Sequence, residues 1–316
     1  MKFYMRFFWI IVFVYLNTLW VSGQQDPHFT KYMYRNQSLY NPSATGRMGD
    51  FHSGLAYRIQ WLGIDGAPST LAGNFEKSLD KGNAGIGFNF FYDKIGFDQN
   101  LALQINYAYR IKLSNESVLS FGIKGGANLI YSDFSNAVTP EFTDPLHSRN
   151  NIWIPRMGIG LMYHNSRFFI AASVPSLLAY IPEKSFQLNN NGGFLSHHFY
   201  GSMGYVIDLK KDIWQLKPFI FAKYHHTAPF QLDLGLQLWY KNVFSIGSSY
   251  RTGDAIAAML EIPVWEGINL SYAYDYTNSL FREIGSGAHE IVIEYTWNKK
   301  KTKVPSIHKI TNLPKF

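Results

Sequence analysis

The 316-residue sequence contains no cysteine. That excludes disulfides, thiol catalysis and thiolate metal centres. It also excludes a lipid anchor attached to a cysteine. Charge is scarce as well. Asp, Glu, Lys and Arg make up 16% of the chain, against roughly 25% in ordinary soluble domains. Long apolar runs are missing too, and none approaches the ~20 residues that a membrane-spanning helix needs. No GxSxG, HExxH or phosphate loop is present, so the common signatures of hydrolase, zinc-protease and nucleotide chemistry are lacking. A Ser/His/acid set assembled across the rim of a β-structure would leave no such trace, and a rim hydrolase stands as a third reading.

Aromatics are abundant, with 21 Tyr, 25 Phe and 8 Trp, alongside 26 Gly. Residues 1–23 have the character of a secretory signal. Lys2 and Arg6 supply the charged start, Phe7 to Leu16 the apolar stretch, and Val21-Ser22-Gly23 the small residues for cleavage. The net charge of +7 is lodged at the two ends. Two cations fall in the signal and six in the tail, residues 298–316 (Lys299, Lys300, Lys301, Lys303, Lys309 and Lys315). Of the 29 basic residues, 21 then remain against 22 acidic. A near-neutral body does not bind nucleic acid through organised basic surface.

From residue 49 to 297 the chain alternates between apolar and small or polar residues. Leu232, Leu234, Leu236, Leu238 and Tyr240 alternate with Asp233, Gly235 and Gln237. Ile268, Leu270, Tyr272, Tyr274 and Tyr276 alternate with Asn269, Ser271, Ala273 and Asp275. The stretches 101–111 and 119–131 do the same. Period two places one set on each face of a sheet. Tyrosines near the segment ends suit an aromatic girdle at a lipid interface. The pattern predicts about fourteen strands, near 50–61, 68–77, 83–92, 100–112, 117–132, 155–163, 167–174, 197–208, 214–225, 230–239, 243–251, 255–263, 267–276 and 287–297. Connections after odd strands include the long ones, 133–154, 175–196 and 277–286, together with 62–67 and 93–99. Those after even strands are short. This segregation predicts an all-β, antiparallel outer-membrane barrel with lipid as its surroundings and both termini in the periplasm.

The polar face carries Arg58, Gln60, Glu76, Asp93, Arg110, Lys112, Lys124, Asp233, Arg251, Glu261, Asp275, Glu290 and Glu294. Of these, Arg58, Asp93, Arg110, Arg251, Asp275 and Glu290 are the core of an expected lumenal polar network; the alternative is a selectivity lining or a binding surface for a threaded segment. His197-His198 and His225-His226 do not form metal sites as pairs, because neighbours on a strand point to opposite faces. No catalytic, cofactor or metal residues are assigned. Residues 24–48 are aromatic and do not alternate. They fit either a plug under or inside the barrel or a docking strip for a periplasmic partner. The partner-binding candidates are Asp26, Pro27, Phe29, Tyr32, Asn41 and Pro42 in this segment, and Trp61, Gly66 and Pro68 in the first loop. The long loops 133–154 and 175–196 are further interaction candidates.

Nine stretches together carry a family resemblance: QQDPHFTKYM at 24–33, LYNPSATG at 39–46, YRIQWLGIDGAPST at 57–70, YDKIGF at 92–97, YAYRIKLS at 107–114, SVPSLL at 173–178, SYRTGD at 249–254, YAYDYT at 272–277 and GSGAHEIVIEY at 285–295. In this order they resemble the PorP/SprF family of type IX secretion and gliding-motility outer-membrane proteins. Thr45 stands where family members usually have an aromatic, and the basic tail after Trp297 lies outside the pattern. The resemblance implies a non-enzymatic role without cofactors. It implies export or surface attachment of cargo proteins bearing a C-terminal sorting domain. It also implies association with other components of the machine, including periplasmic lipoproteins. The rival expectation is an outer-membrane channel for small or hydrophobic molecules.

Overall fold

A computed structural model of the protein describes residues 28–114, 117–133, 149–179, 198–210, 213–225, 228–241, 243–278 and 286–298. Fourteen antiparallel strands form one closed barrel. They are β1 (Phe51–Gln60), β2 (Ser69–Leu79), β3 (Ala84–Ile95), β4 (Asp98–Lys112), β5 (Val118–Asp133), β6 (Arg149–His164) and β7 (Phe168–Ala179). Then come β8 (Phe199–Tyr205, continuing after Val206 as Ile207–Lys210), β9 (Trp214–His225), β10 (Ala228–Tyr240), β11 (Phe244–Arg251), β12 (Ala255–Trp265), β13 (Ile268–Thr277) and β14 (Ala288–Trp297). Closure comes from β14 pairing with β1, in register from Phe51↔Trp297 to Gln60↔Ala288. A closed ladder leaves no sheet edge for lipid to face unsatisfied.

The two sets of alternating residues separate cleanly. Leu55, Tyr57, Ile105, Tyr107, Ile123, Leu234, Leu236, Ile291 and Ile293 all face outward and are exposed. Their partners one residue along, such as Asn74, Asn106, Ser120, Asp233, Glu290 and Glu294, face inward and are buried. An apolar exterior around a polar interior is the inverse of a soluble protein and fits a barrel in lipid.

Several strands run further than the alternation indicates. The 93–99 stretch is not a loop: β3 and β4 stay paired to Ile95↔Asp98 around a two-residue turn at Gly96-Phe97. At the rim both faces are polar, so the periodic signal stops before the hydrogen-bond ladder does. β7 continues past Pro175 to Ala179, and a register shift opposite Gly158 absorbs the proline in a bulge. β6 begins at Arg149, not near 155. Pro155 pairs with Ala127 of β5, and the described pairing of β6 with β7 starts one residue later, at Arg156. A proline without a ladder partner on one side is tolerated. The connections 134–148 and 180–197, the signal at 1–23 and the tail from 299 lie outside the described residues.

Long connections after odd strands therefore gather at one mouth of the barrel, here the long-loop mouth. The short connections, such as Asn165 to Arg167 and Glu266-Gly267, gather at the other, the turn mouth. Leu234 is 44% exposed at the middle of β10. Leu234→Arg is expected to cost about 2–4 kcal/mol at bilayer mid-depth. Urea unfolding of the barrel in lipid vesicles measures this, and a cost near zero would reverse the face assignment.

Candidate functional site: the filled lumen

A water-filled pore would leave its polar lining wet. Here Arg58 is 3% exposed and Glu290 0%. The residues that cover them belong to the same chain. Residues 28–48 lie inside the barrel and touch the inward face of nearly every strand. The segment folds as a short helix α1 (Tyr32–Arg35) followed by two 3-10 turns, Gln37–Leu39 and Pro42–Ala44. Helical turns satisfy part of the backbone internally, which matters where water is excluded. Asn41 caps the second turn, its Oδ1 accepting from the Ser43 N–H at 3.0 Å, and Pro42 occupies the first position, where a missing N–H costs nothing.

The wall satisfies what the turns cannot. Glu290 Oε2 accepts the Thr30 N–H at 2.6 Å, and Oε1 accepts those of Lys31 at 2.8 Å and Tyr32 at 2.7 Å. Along the rest of the segment the wall donates instead. Asn89 and Asn106 donate to the Ser38 carbonyl, Lys124 to that of Leu39, Ser173 to that of Tyr40, Ser120 to that of Ser43 and Arg110 to that of Thr45. These six donors come from four strands, β3, β4, β5 and β7, and face Glu290 of β14, so the segment is gripped from several sides of the barrel.

Charge is matched in two tiers. Near the long-loop mouth, Arg58 pairs with Asp275 at 2.8 Å and Glu290 at 3.4 Å, and Arg251 with Asp233 and Asp275, each at 3.1 Å. The Thr30 hydroxyl donates to Asp275 and accepts from Arg251 at 2.9 Å. His28 lies 3.1 Å from Asp233. Below this tier, Glu261 takes Lys31 and Arg35, while Glu294 takes Arg35 at 3.5 Å and Asn36 at 2.7 Å. Glu76 receives Ser38 and the Gly46 N–H. The wall of β12 to β14 is acidic: Arg58 and Arg251 of the flanking strands pair Asp275 and Glu290, and the segment's Lys31 and Arg35 pair Glu261 and Glu294.

Packing completes the seat. Phe29 and Tyr32 are fully buried and meet at 5.4 Å, and Tyr34 packs on Phe219 at 4.2 Å. Two wall glycines make room. A Cβ at Gly235 would overlap the Tyr34 hydroxyl, and one at Gly122 would overlap the backbone of Pro42 and Ser43.

Four of the six expected network residues, Arg58, Arg251, Asp275 and Glu290, come together. Asp93 instead accepts from Thr70 at 2.5 Å, and Arg110 binds the carbonyls of Gly82, Ala84 and Thr45. Of the wider polar face, Lys112 is exposed at the end of β4. Among the partner-binding candidates, Phe29, Tyr32, Asn41 and Pro42 are buried in the lumen. Pro68 is buried at the first loop, Trp61 is half-buried and Gly66 exposed. Asp26 and Pro27 lie outside the described residues. The roles of Thr30, Lys31 and Arg35 escaped the sequence reading. The excess of inward acids on β12 to β14 was the signal that could have found them. The histidines pair across strands, His198 stacking on His225 at 4.5 Å, an arrangement that adjacency in sequence hides.

The PorP/SprF family profile, described as type IX secretion system membrane protein, matches residues 21–295. The chain belongs to this family. No curated protein matches it. Among solved structures it is similar to the CymD monoaromatic hydrocarbon channel, with a TM-score of 0.51 and 10% identity over 84% of this chain and 93% of that one. The KdgM porin matches at a TM-score of 0.36 and 8% identity, over 78% of this chain and 99% of that one. CdiB from Acinetobacter baumannii matches at 0.43 and 8%, over 78% and 60%. The likeness to CymD is one of fold: this PorP/SprF member is an integral outer-membrane barrel.

One outcome is expected of the seat. Glu290→Ala strips three backbone N–H groups and Arg58 of an acceptor. Breaking such a buried arrangement costs about 3–5 kcal/mol. Trypsin should then cut at Lys31 and Arg35 in the folded barrel, where the wild type resists; equal resistance would mean that Glu290 does not hold the segment.

Proposed function

We propose that the protein serves type IX secretion as a closed outer-membrane platform, binding machine components or cargo at its two mouths and not conducting through its lumen. Family membership supports the secretion role, and the single observation that carries the closed state is the paired, dry segment 28–48. In this reading the turn mouth faces the periplasm, where β1 begins and β14 ends, and meets periplasmic lipoproteins of the machine. The long-loop mouth, with Trp61 and Gly66, meets secreted proteins carrying a C-terminal sorting domain. No step of the reading requires catalysis. Deleting the gene should strand a specific surface protein inside the cell, and native pull-down should recover machine components. An unchanged surface proteome and unchanged gliding would sink the reading.

A second reading, a channel for hydrophobic molecules, is favoured by one observation. An apolar groove of about 660 Å³ opens on the outer wall among Phe121, Ile159, Leu161, Phe199, Tyr224 and Phe230, and CymD is described as a monoaromatic hydrocarbon channel. Reconstituted protein should pass neither ions in planar bilayers nor toluene into vesicles. Toluene uptake that is lost on filling the groove would favour the channel instead.

A further inference from the structure

The lumenal segment has a direction. Thr30 bonds Arg251, the last residue of β11, and Asp275, two residues from the end of β13. It also bonds Arg58, two residues from the end of β1, and its N–H reaches Glu290, two residues from the start of β14. All four positions lie at the long-loop mouth. At about 3.3 Å per strand residue, Thr30 sits within roughly 7 Å of the strand ends there. The chain then descends. Asn36 meets Glu294, Ser38 meets Glu76, and the Thr45 carbonyl meets Arg110, two residues from the turn end of β4. Asp50 accepts from Ser78 at the turn mouth, where β1 starts. The segment therefore runs the depth of the barrel from the long-loop mouth to the turn mouth.

Residues 31–48 fill the lumen below Thr30, most of their side chains buried. A chain arriving at His28 from the turn mouth would have to pass through that packed volume. We infer that the chain is threaded: the described chain opens at His28 on the long-loop mouth and ends past Trp297 at the turn mouth, so its two ends face opposite sides of the membrane. In the proposed orientation Trp297 opens on the periplasmic side expected of both termini, whereas His28 opens on the other side. A partner then reaches the segment at His28 only from the long-loop side, separate from anything that docks near residues 45–50. The two halves of the docking strip read from the sequence serve opposite faces.

The absence of cysteine makes the test clean, because any introduced thiol is unique. Single variants Gln25→Cys, Asn136→Cys, Asn242→Cys and Ser306→Cys report the amino terminus, a long loop, a turn and the tail. Each is treated with a membrane-impermeant maleimide in intact cells and after outer-membrane permeabilisation. Gln25→Cys should label with Asn136→Cys, with no gain on permeabilisation. Asn242→Cys and Ser306→Cys should label only after it. Gln25→Cys following the Asn242→Cys pattern would overturn the threading. If the thiol is shielded in both conditions, a protease-cleavable epitope inserted after Gln24 becomes the reporter. Its removal by protease added to intact cells supports the inference, and its removal only in permeabilised cells overturns it.

Discussion

Arg58 and Glu290 face each other across the seam where the last strand meets the first. They are partners in the ladder that closes the barrel, they form an ion pair, and both reach Thr30 of the lumenal segment. Closure of the wall and filling of the lumen are thus joined at one place. Arg251 and Asp275 extend the same cluster to β11 and β13. A barrel that closed without its segment would leave these charges facing an empty lumen, and a segment without the closed wall would lose its acceptors.

The energetics of such a core differ from those of a hydrophobic one. Buried ion pairs contribute little net stability, because desolvation offsets most of the attraction. Their weight lies in what happens when one member is missing, since the partner is then buried unpaired. The wall of β12 to β14 places Glu261, Asp275, Glu290 and Glu294 inward and needs cations that it does not itself carry. Arg58 and Arg251 of the flanking strands meet that need for Asp275 and Glu290, and Lys31 and Arg35 of the segment for Glu261 and Glu294. Aromatic packing of Phe29, Tyr32 and Tyr34 then fixes the segment in one position, with the wall pared to glycine at Gly122 and Gly235 where it would otherwise collide. A lumen occupied in this way suits a protein that works at its mouths.

Much of the barrel was legible because period-two alternation is a local signal, and lipid outside with polar groups inside makes it strong. Fourteen strands could be read from it. It failed where other physics ruled locally: at Asp93-Lys94, where both faces are polar, and at Pro175, where a bulge carries the strand past a residue that usually ends one. The lumenal contacts were less legible. Residues 24–48 announced themselves as apolar and non-alternating, but the acidic partners of Thr30, Lys31 and Arg35 lie more than 200 residues away in sequence. No local pattern records such pairs. Asn41 and Pro42, candidates for partner binding, are packed inside the lumen, and the strands they touch lie far away in sequence. The direction of the segment was invisible for the same reason, since it is defined only by strands not yet placed.

The filled lumen is tested most directly by amide hydrogen exchange on the full-length protein in micelles. The Thr30, Lys31 and Tyr32 amides, all bonded to Glu290, should exchange as slowly as those of β14 beside them. Exchange of these three at the rate of an open chain, with β14 still protected, would contradict a lumen closed by the protein's own segment.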